Sequence, residues 1–107
     1  MELSQYNIVV VNLDPTIGSE IKKTRPSVVI SPDEMNKYLN TVVIAPVTSQ
    51  SKSYPTRVNL KNKKTSGWVV LDQIRTIDKR RIIKIVDKLS LKSIEAVKQI
   101  IKETYVN

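Results

Sequence analysis

An arginine and a threonine stand at the ends of two apolar stretches. Arg25 lies near the start of TRPSVVIS at 24–31, and Thr48 closes the apolar part of VIAPVTSQSKSYP at 43–55. If the two stretches are neighbouring strands, the side chains meet at the rim of a sheet, beside the polar loop SQSKSYP. A guanidinium donates two parallel hydrogen bonds to phosphate oxygens and a hydroxyl adds a third donor, so the pair suits a phosphodiester. The same residue types also serve as a surface charge and a strand-end residue, and on chemistry alone both readings stand.

The rest of the composition narrows the chemistry. The sequence has no histidine and no cysteine. Imidazole acid–base catalysis, Ser-His-Asp triads, thiolate nucleophiles, disulfides and the usual zinc sites are therefore excluded. The ten acidic residues show no paired spacing that argues for a carboxylate-held metal. The expectation is chemistry without metal or cofactor, or no chemistry. The formal net charge is +8, much of it in NLKNKKTSG, DKRRIIK and the C-terminal segment. A small basic domain commonly meets polyanions, because neutralising phosphates releases counterions. A charge run is equally a solvated face.

These residues need elements to position them. At 107 residues the chain is expected to be one domain, 1–107. No apolar run is long enough to span a bilayer and no signal-peptide pattern opens the sequence, so the expected location is the cytoplasm, away from membranes. Strands are expected at 8–13, 27–31, 41–48, 56–60, 68–77 and 83–89, the last at an edge. In 56–60, Val58 and Leu60 point one way. Pro26 is placed at the first position of its strand, and it pushes Arg25 towards extended backbone. A short helix follows Asp33 as N-cap, and DKRRI forms a helical turn. Ser90 caps an amphipathic helix to about residue 105, with Leu91, Ile94, Val97, Ile101 and Tyr105 facing the sheet. The fold class is mainly β with peripheral helices, a small, strongly bent sheet or barrel with a C-terminal amphipathic helix.

The ordered pieces NLDPTIGSE, KKTRPSVVISPD, VVIAPVTSQ, LDQIRTID and KLS closely resemble the MazF/PemK (Kid-like) toxins of bacterial toxin–antitoxin pairs. The resemblance covers nearly the whole chain, from about residue 8 to 105. It implies an SH3-like barrel of the MazF/PemK and CcdB type, a homodimer, and metal-independent endoribonuclease activity on single-stranded mRNA at short motifs. It also implies a cognate antitoxin whose acidic segment covers the RNA site. The family's catalytic arginine and threonine fall on Arg25 and Thr48. Its GSE glutamate falls on Glu20, and the LDQ aspartate, a proposed base in Kid-type members, on Asp72. Two departures break the Kid-type catalytic set: Ser19 stands where that pattern has a histidine, and Val70 where it has an arginine. Tyr6 replaces a common glycine before the first strand, and Val10 an aromatic within it.

RNA carries its own nucleophile, the 2′-hydroxyl. The protein need only orient it in line, stabilise the phosphorane's extra charge and move protons. Arg25 is then the oxyanion clamp and Thr48 a further donor. Asp72 and Glu20 are the base or supporting candidates, with loop anchoring as the other reading of Asp72. Ser19, Lys22 and Lys23 in the first loop, and Ser49, Gln50, Ser51, Lys52 and Tyr54 in the second, are expected RNA contacts. Single-stranded RNA is read by stacking bases on aromatics, for which Tyr38, Tyr54 and Trp68 are candidates, Trp68 being expected rather in core or dimer packing. Two other functions are open. One is a non-catalytic toxin on the same fold that binds DNA gyrase, which has no use for a phosphate clamp at Arg25. The other is a basic RNA-binding module without catalysis.

Overall fold

In the computed structural model the described residues are 2–13, 24–62 and 64–106. They form seven strands in one bent antiparallel sheet and two helices. The strands are β1 (Asn7–Asn12), β2 (Thr24–Val29), β3 (Thr41–Thr48), β4 (Arg57–Lys61), β5 (Ser66–Val70), β6 (Arg75–Asp78) and β7 (Ile82–Lys88). The helices are α1 (Asp33–Tyr38) and α2 (Leu91–Ile101). The order across the sheet is β4-β5-β3-β2-β1-β7, with β6 paired to β3. β7 is thus an edge strand, as expected. Asn62, just after β4, donates from Nδ2 to Asp87 Oδ2 at 3.2 Å and to the Lys88 carbonyl at 2.8 Å. This side-chain bridge joins the two ends of the strand order where no backbone ladder does. No helix among the described residues is long and apolar enough to cross a membrane.

Strand alternation divides the apolar residues between two faces. Ile8, Val28, Ala45, Val47, Val58, Leu60, Val69 and Leu71 form one buried cluster, over which α2 lays Val97, with Ile94 and Ile101 packed beside it. Val9, Val11, Val29, Val42, Ile44, Ile77 and Ile82 form the second, on the opposite face. The β-branched run in β1 serves both, since successive residues point to opposite sides.

β3 is the hinge of this architecture. One of its edges pairs with β6 through residues 41–44 and then with β5 through Val47 and Thr48. Its other edge pairs with β2 as Ser27↔Pro46, Val28↔Ala45 and Val29↔Ile44. Pro26 and Pro46 carry no N–H, and the β2–β3 ladder stops between them. β2 begins at Thr24, so Pro26 sits inside it rather than at its first position, paired to Val10 of β1.

Further expectations are corrected. The strand expected over 68–77 is two strands joined by a 3-10 turn at Leu71–Gln73, which makes a corner in the sheet. There Leu71 is buried, its N–H donates to the Thr56 carbonyl at 3.1 Å, and its own carbonyl accepts from the Tyr105 hydroxyl at 2.6 Å. Helix α1 takes Pro32, not Asp33, as its N-cap, because the Asp33 carboxylate accepts instead from the Gln5 N–H at 2.7 Å. Ser90 does cap α2, accepting from the Ser93 N–H, but Leu91, in the first turn, is 83% exposed. The α-helix also ends at Ile101 and continues as a π turn, Lys102–Val106, which leaves Tyr105 half exposed. Tyr6, where the resembled family carries glycine, has φ 71°, a left-handed backbone that costs a side-chain-bearing residue energy. It is held there by its N–H on the Val29 carbonyl and by the Leu89 N–H on its own carbonyl.

Candidate functional site at the β2–β3 rim

Carrying the β2–β3 register two residues past Ser27↔Pro46 sets Arg25 across from Thr48. Alternation puts both on the face of Val29 and Ile44, since Arg25 is four residues from Val29 and Thr48 four from Ile44. Arg25 is held from the β1 side by its pairing with Val11. Its side chain is exposed, and its guanidinium makes no hydrogen bond or ion pair with the described residues. A cation at a sheet rim with no counter-charge among the described residues is available to an anionic ligand.

Thr48 is half-buried, and its hydroxyl organises the loop that follows. Oγ1 donates to the Gln50 carbonyl at 3.1 Å and accepts from the Gln50 N–H at 3.3 Å. Gly67 allows β5 to come this close. A Cβ there would lie 2.5 Å from the Thr48 carbonyl oxygen, and its φ of +138° belongs to the region reserved for glycine.

Trp68 pairs with Thr48 on one side and Asn59 on the other. The three residues form one row across β3, β5 and β4. Val69 enters the first core cluster, so Trp68 points to the opposite face, the face of Thr48. It is half-buried and has no place in either core cluster, contrary to the expectation of core packing.

Asp72 sits on the corner turn and anchors the 49–56 loop by side chains. It accepts from Thr56 Oγ1 at 2.8 Å and pairs with Arg57 Nε at 3.3 Å. The Arg57 hydrogen bond and that of Thr56 hold its carboxyl below the usual carboxylate range, against the opposing effect of partial burial. A carboxylate so held is a weak proton acceptor. Within the loop, Ser51 Oγ donates to the Lys52 carbonyl and accepts from Arg57 Nη1, and Tyr54 lies under the Arg57 guanidinium. Ser49, Gln50, Lys52 and Tyr54 are exposed, beside Thr48 in the chain. Tyr38 is exposed at the end of α1, just before β3 begins, whereas Thr48 ends that strand. Ser19, Glu20, Lys22 and Lys23 lie outside the described residues. Arg57 is the member of this cluster that the sequence reading missed. No local signal marks it, because its hydrogen-bond partners Ser51 and Asp72 lie 6 and 15 residues away.

Residues 4–105 match the family model described as "PemK-like, MazF-like toxin of type II toxin-antitoxin system". Among solved structures, a MazF from Deinococcus radiodurans is similar at 26% identity and a TM-score of 0.83, covering 100% of this chain and 99% of that one. A MazE–MazF complex from the same organism matches at 27% identity and a TM-score of 0.83, over 96% of this chain and 95% of that one. An endoribonuclease in complex with its cognate antitoxin, from a mycobacterial species, shares the fold at 16% identity, with a TM-score of 0.82 over 94% of this chain and 92% of that one.

Proposed function

This chain belongs to the PemK-like, MazF-like toxins of type II toxin–antitoxin systems, and on that premise we propose that it is a metal-independent endoribonuclease cleaving single-stranded mRNA in the cytoplasm. The observation that carries the reading is the exposed Arg25 guanidinium, without a partner among the described residues, on the strand that pairs with the strand ending at Thr48.

In this reading the scissile phosphate lies between Arg25 and Thr48. The adjacent 2′-hydroxyl attacks phosphorus and gives up its proton to solvent, the bond to the 5′-oxygen breaks as that oxygen takes a proton from solvent, and the products are a 2′,3′-cyclic phosphate and a 5′-hydroxyl end. Arg25 stabilises the charge that accumulates on the non-bridging oxygens. Its ordinary pKa of about 12.5–13.8 makes it a poor proton carrier, so its role is electrostatic. Thr48 turns its hydroxyl hydrogen from the Gln50 carbonyl to a phosphate oxygen. Asp72, committed to Arg57 and Thr56, supports the loop rather than taking the proton. Glu20, with Ser19, Lys22 and Lys23, belongs to the RNA track by resemblance. Ser49, Gln50, Lys52 and Tyr54 line it by their exposure beside Thr48.

The test is the rate of cutting of single-stranded RNA by variants that still fold. Arg25→Ala should lose roughly 100- to 1,000-fold, the usual worth of one preorganised oxyanion donor. Thr48→Ser should retain most activity and Thr48→Val should lose it, by less than Arg25→Ala. Wild-type rates in Arg25→Ala would remove the arginine from the mechanism. The gyrase-binding alternative gains nothing from this site, since its target offers no phosphodiester to be clamped there.

A further inference from the structure

Arg57 ties together groups that lie apart in sequence. Its Nη1 donates to Ser51 Oγ at 2.6 Å, and Nε pairs with Asp72 Oδ1 at 3.3 Å while Nη2 reaches Oδ2 at 3.5 Å. The guanidinium carbon also lies over the Tyr54 ring, 4.9 Å from its centroid. One cation thus serves two hydrogen-bonded partners and an aromatic ring at once, which a planar, delocalised guanidinium suits. The Arg57 side chain is 18% exposed, whereas Tyr54 is 47% exposed.

The loop between Thr48 and Arg57 is thus fixed at both ends. Thr48 holds its first residues through Gln50, and Arg57 holds Ser51 and Tyr54 and fastens them to Asp72 on the corner turn. We propose that Arg57 is a positioning residue for substrate recognition: it holds the exposed Tyr54 ring in place as a platform for a nucleobase flanking the phosphate at Arg25 and Thr48. The proposal rests on the RNA-cleaving reading above. A loop of serines, a lysine and a glutamine would otherwise have to be ordered on binding, which weakens affinity. A pre-set ring accepts any base through its π-face, so this position supplies affinity and register more than base identity. Lysine cannot replace Arg57, because a point charge does not bridge Ser51 and Asp72 while covering a ring.

The experiment measures binding of a single-stranded RNA blocked by a 2′-O-methyl group at the cleaved nucleotide. A parallel series lacks one base at each position around it. The wild-type protein should lose about 5- to 150-fold in affinity when one particular base is removed, the usual range for one base–aromatic stack. Tyr54→Ala should lose a similar factor with intact RNA and show no further loss at that position. Arg57→Ala and Arg57→Lys should both behave like Tyr54→Ala, and the double variant should be no worse than Tyr54→Ala alone. With cleavable RNA, KM should rise while kcat at saturation stays within a few-fold. Full rescue by lysine, additive losses in the double variant, or an unchanged missing-base profile in Arg57→Ala would overturn the proposal. If Arg57→Ala does not fold by thermal melting, Tyr54→Ala still decides, since an unchanged profile there overturns it equally. A wild-type protein that neither binds nor cuts single-stranded RNA would overturn the ribonuclease reading and this proposal with it. Normal cutting with an unchanged profile overturns this proposal alone.

Discussion

Two arginines near the rim have opposite electrostatic surroundings. Arg25 meets no counter-charge among the described residues, while Arg57 is saturated by Asp72, Ser51 and Tyr54. In the proposed reading the first receives a phosphate and the second shapes the loop beside it. Arg25 and Thr48 were legible in the sequence because each closes or opens an apolar strand, where position follows from the strand itself. Arg57 was not, because its partners lie 6 and 15 residues away and only folding gathers them. Asp72 carries a pH signature. Its folded pKa lies below the ordinary carboxylate value, so its contribution is present above the unfolded pKa near 4 and fades as pH falls through the lowered folded value. The difference in thermal stability between wild type and Asp72→Asn should therefore be flat from about pH 8 to 5 and shrink only in more acid solution. A difference that changes around neutrality would assign the coupling to another group.

At the scale of elements, most strands were legible from β-branched runs and turn residues, and alternation in β4 gave its buried side correctly: Val58 and Leu60 inside, Asn59 and Lys61 outside. The corner at Leu71–Gln73 was not legible. Its apolar and polar residues read as one strand continuing, and what breaks it is tertiary: the Thr56 carbonyl and the Tyr105 hydroxyl capture both backbone groups of Leu71. Trp68 was expected in core or dimer packing; strand parity sets it on the face of Thr48, outside both core clusters. Gly67 gives a direct test of how closely β5 supports that face. Gly67→Ala would drive a Cβ into the Thr48 carbonyl at a φ that alanine rarely adopts. Overpacking of this kind costs about 1–3 kcal/mol, and relief by moving Thr48 should also lower cleavage. Urea unfolding together with kcat/KM checks both effects. A variant as stable and as active as wild type would show that Thr48 is not held by this contact.

The whole molecule is small and strongly basic, and its net charge of +8 is legible without any structure. That charge favours an acidic inhibitor as well as RNA, and the family's antitoxin is expected to compete for the donors that RNA phosphates use. The expected active species is a homodimer, since a barrel of this size buries limited surface by itself. Sedimentation at micromolar concentration should give twice the chain mass, and an acidic antitoxin segment should displace labelled RNA from the Arg25→Ala dimer. Both associations should weaken with salt, RNA binding more steeply because its released counterions contribute to affinity. A monomer, or a ternary complex with undiminished RNA affinity, would contradict this arrangement. The partner's identity was not legible, because the rim carries donors of generic anion chemistry.

The most direct test of the central claim, that Arg25 and Thr48 cut RNA using its own 2′-hydroxyl, is cleavage in excess EDTA with the new ends mapped chemically. The account predicts undiminished cutting of single-stranded RNA, 2′,3′-cyclic phosphate and 5′-hydroxyl termini, and loss of these products in Arg25→Ala. Cutting that stops on chelation, or 5′-phosphate ends, would contradict it.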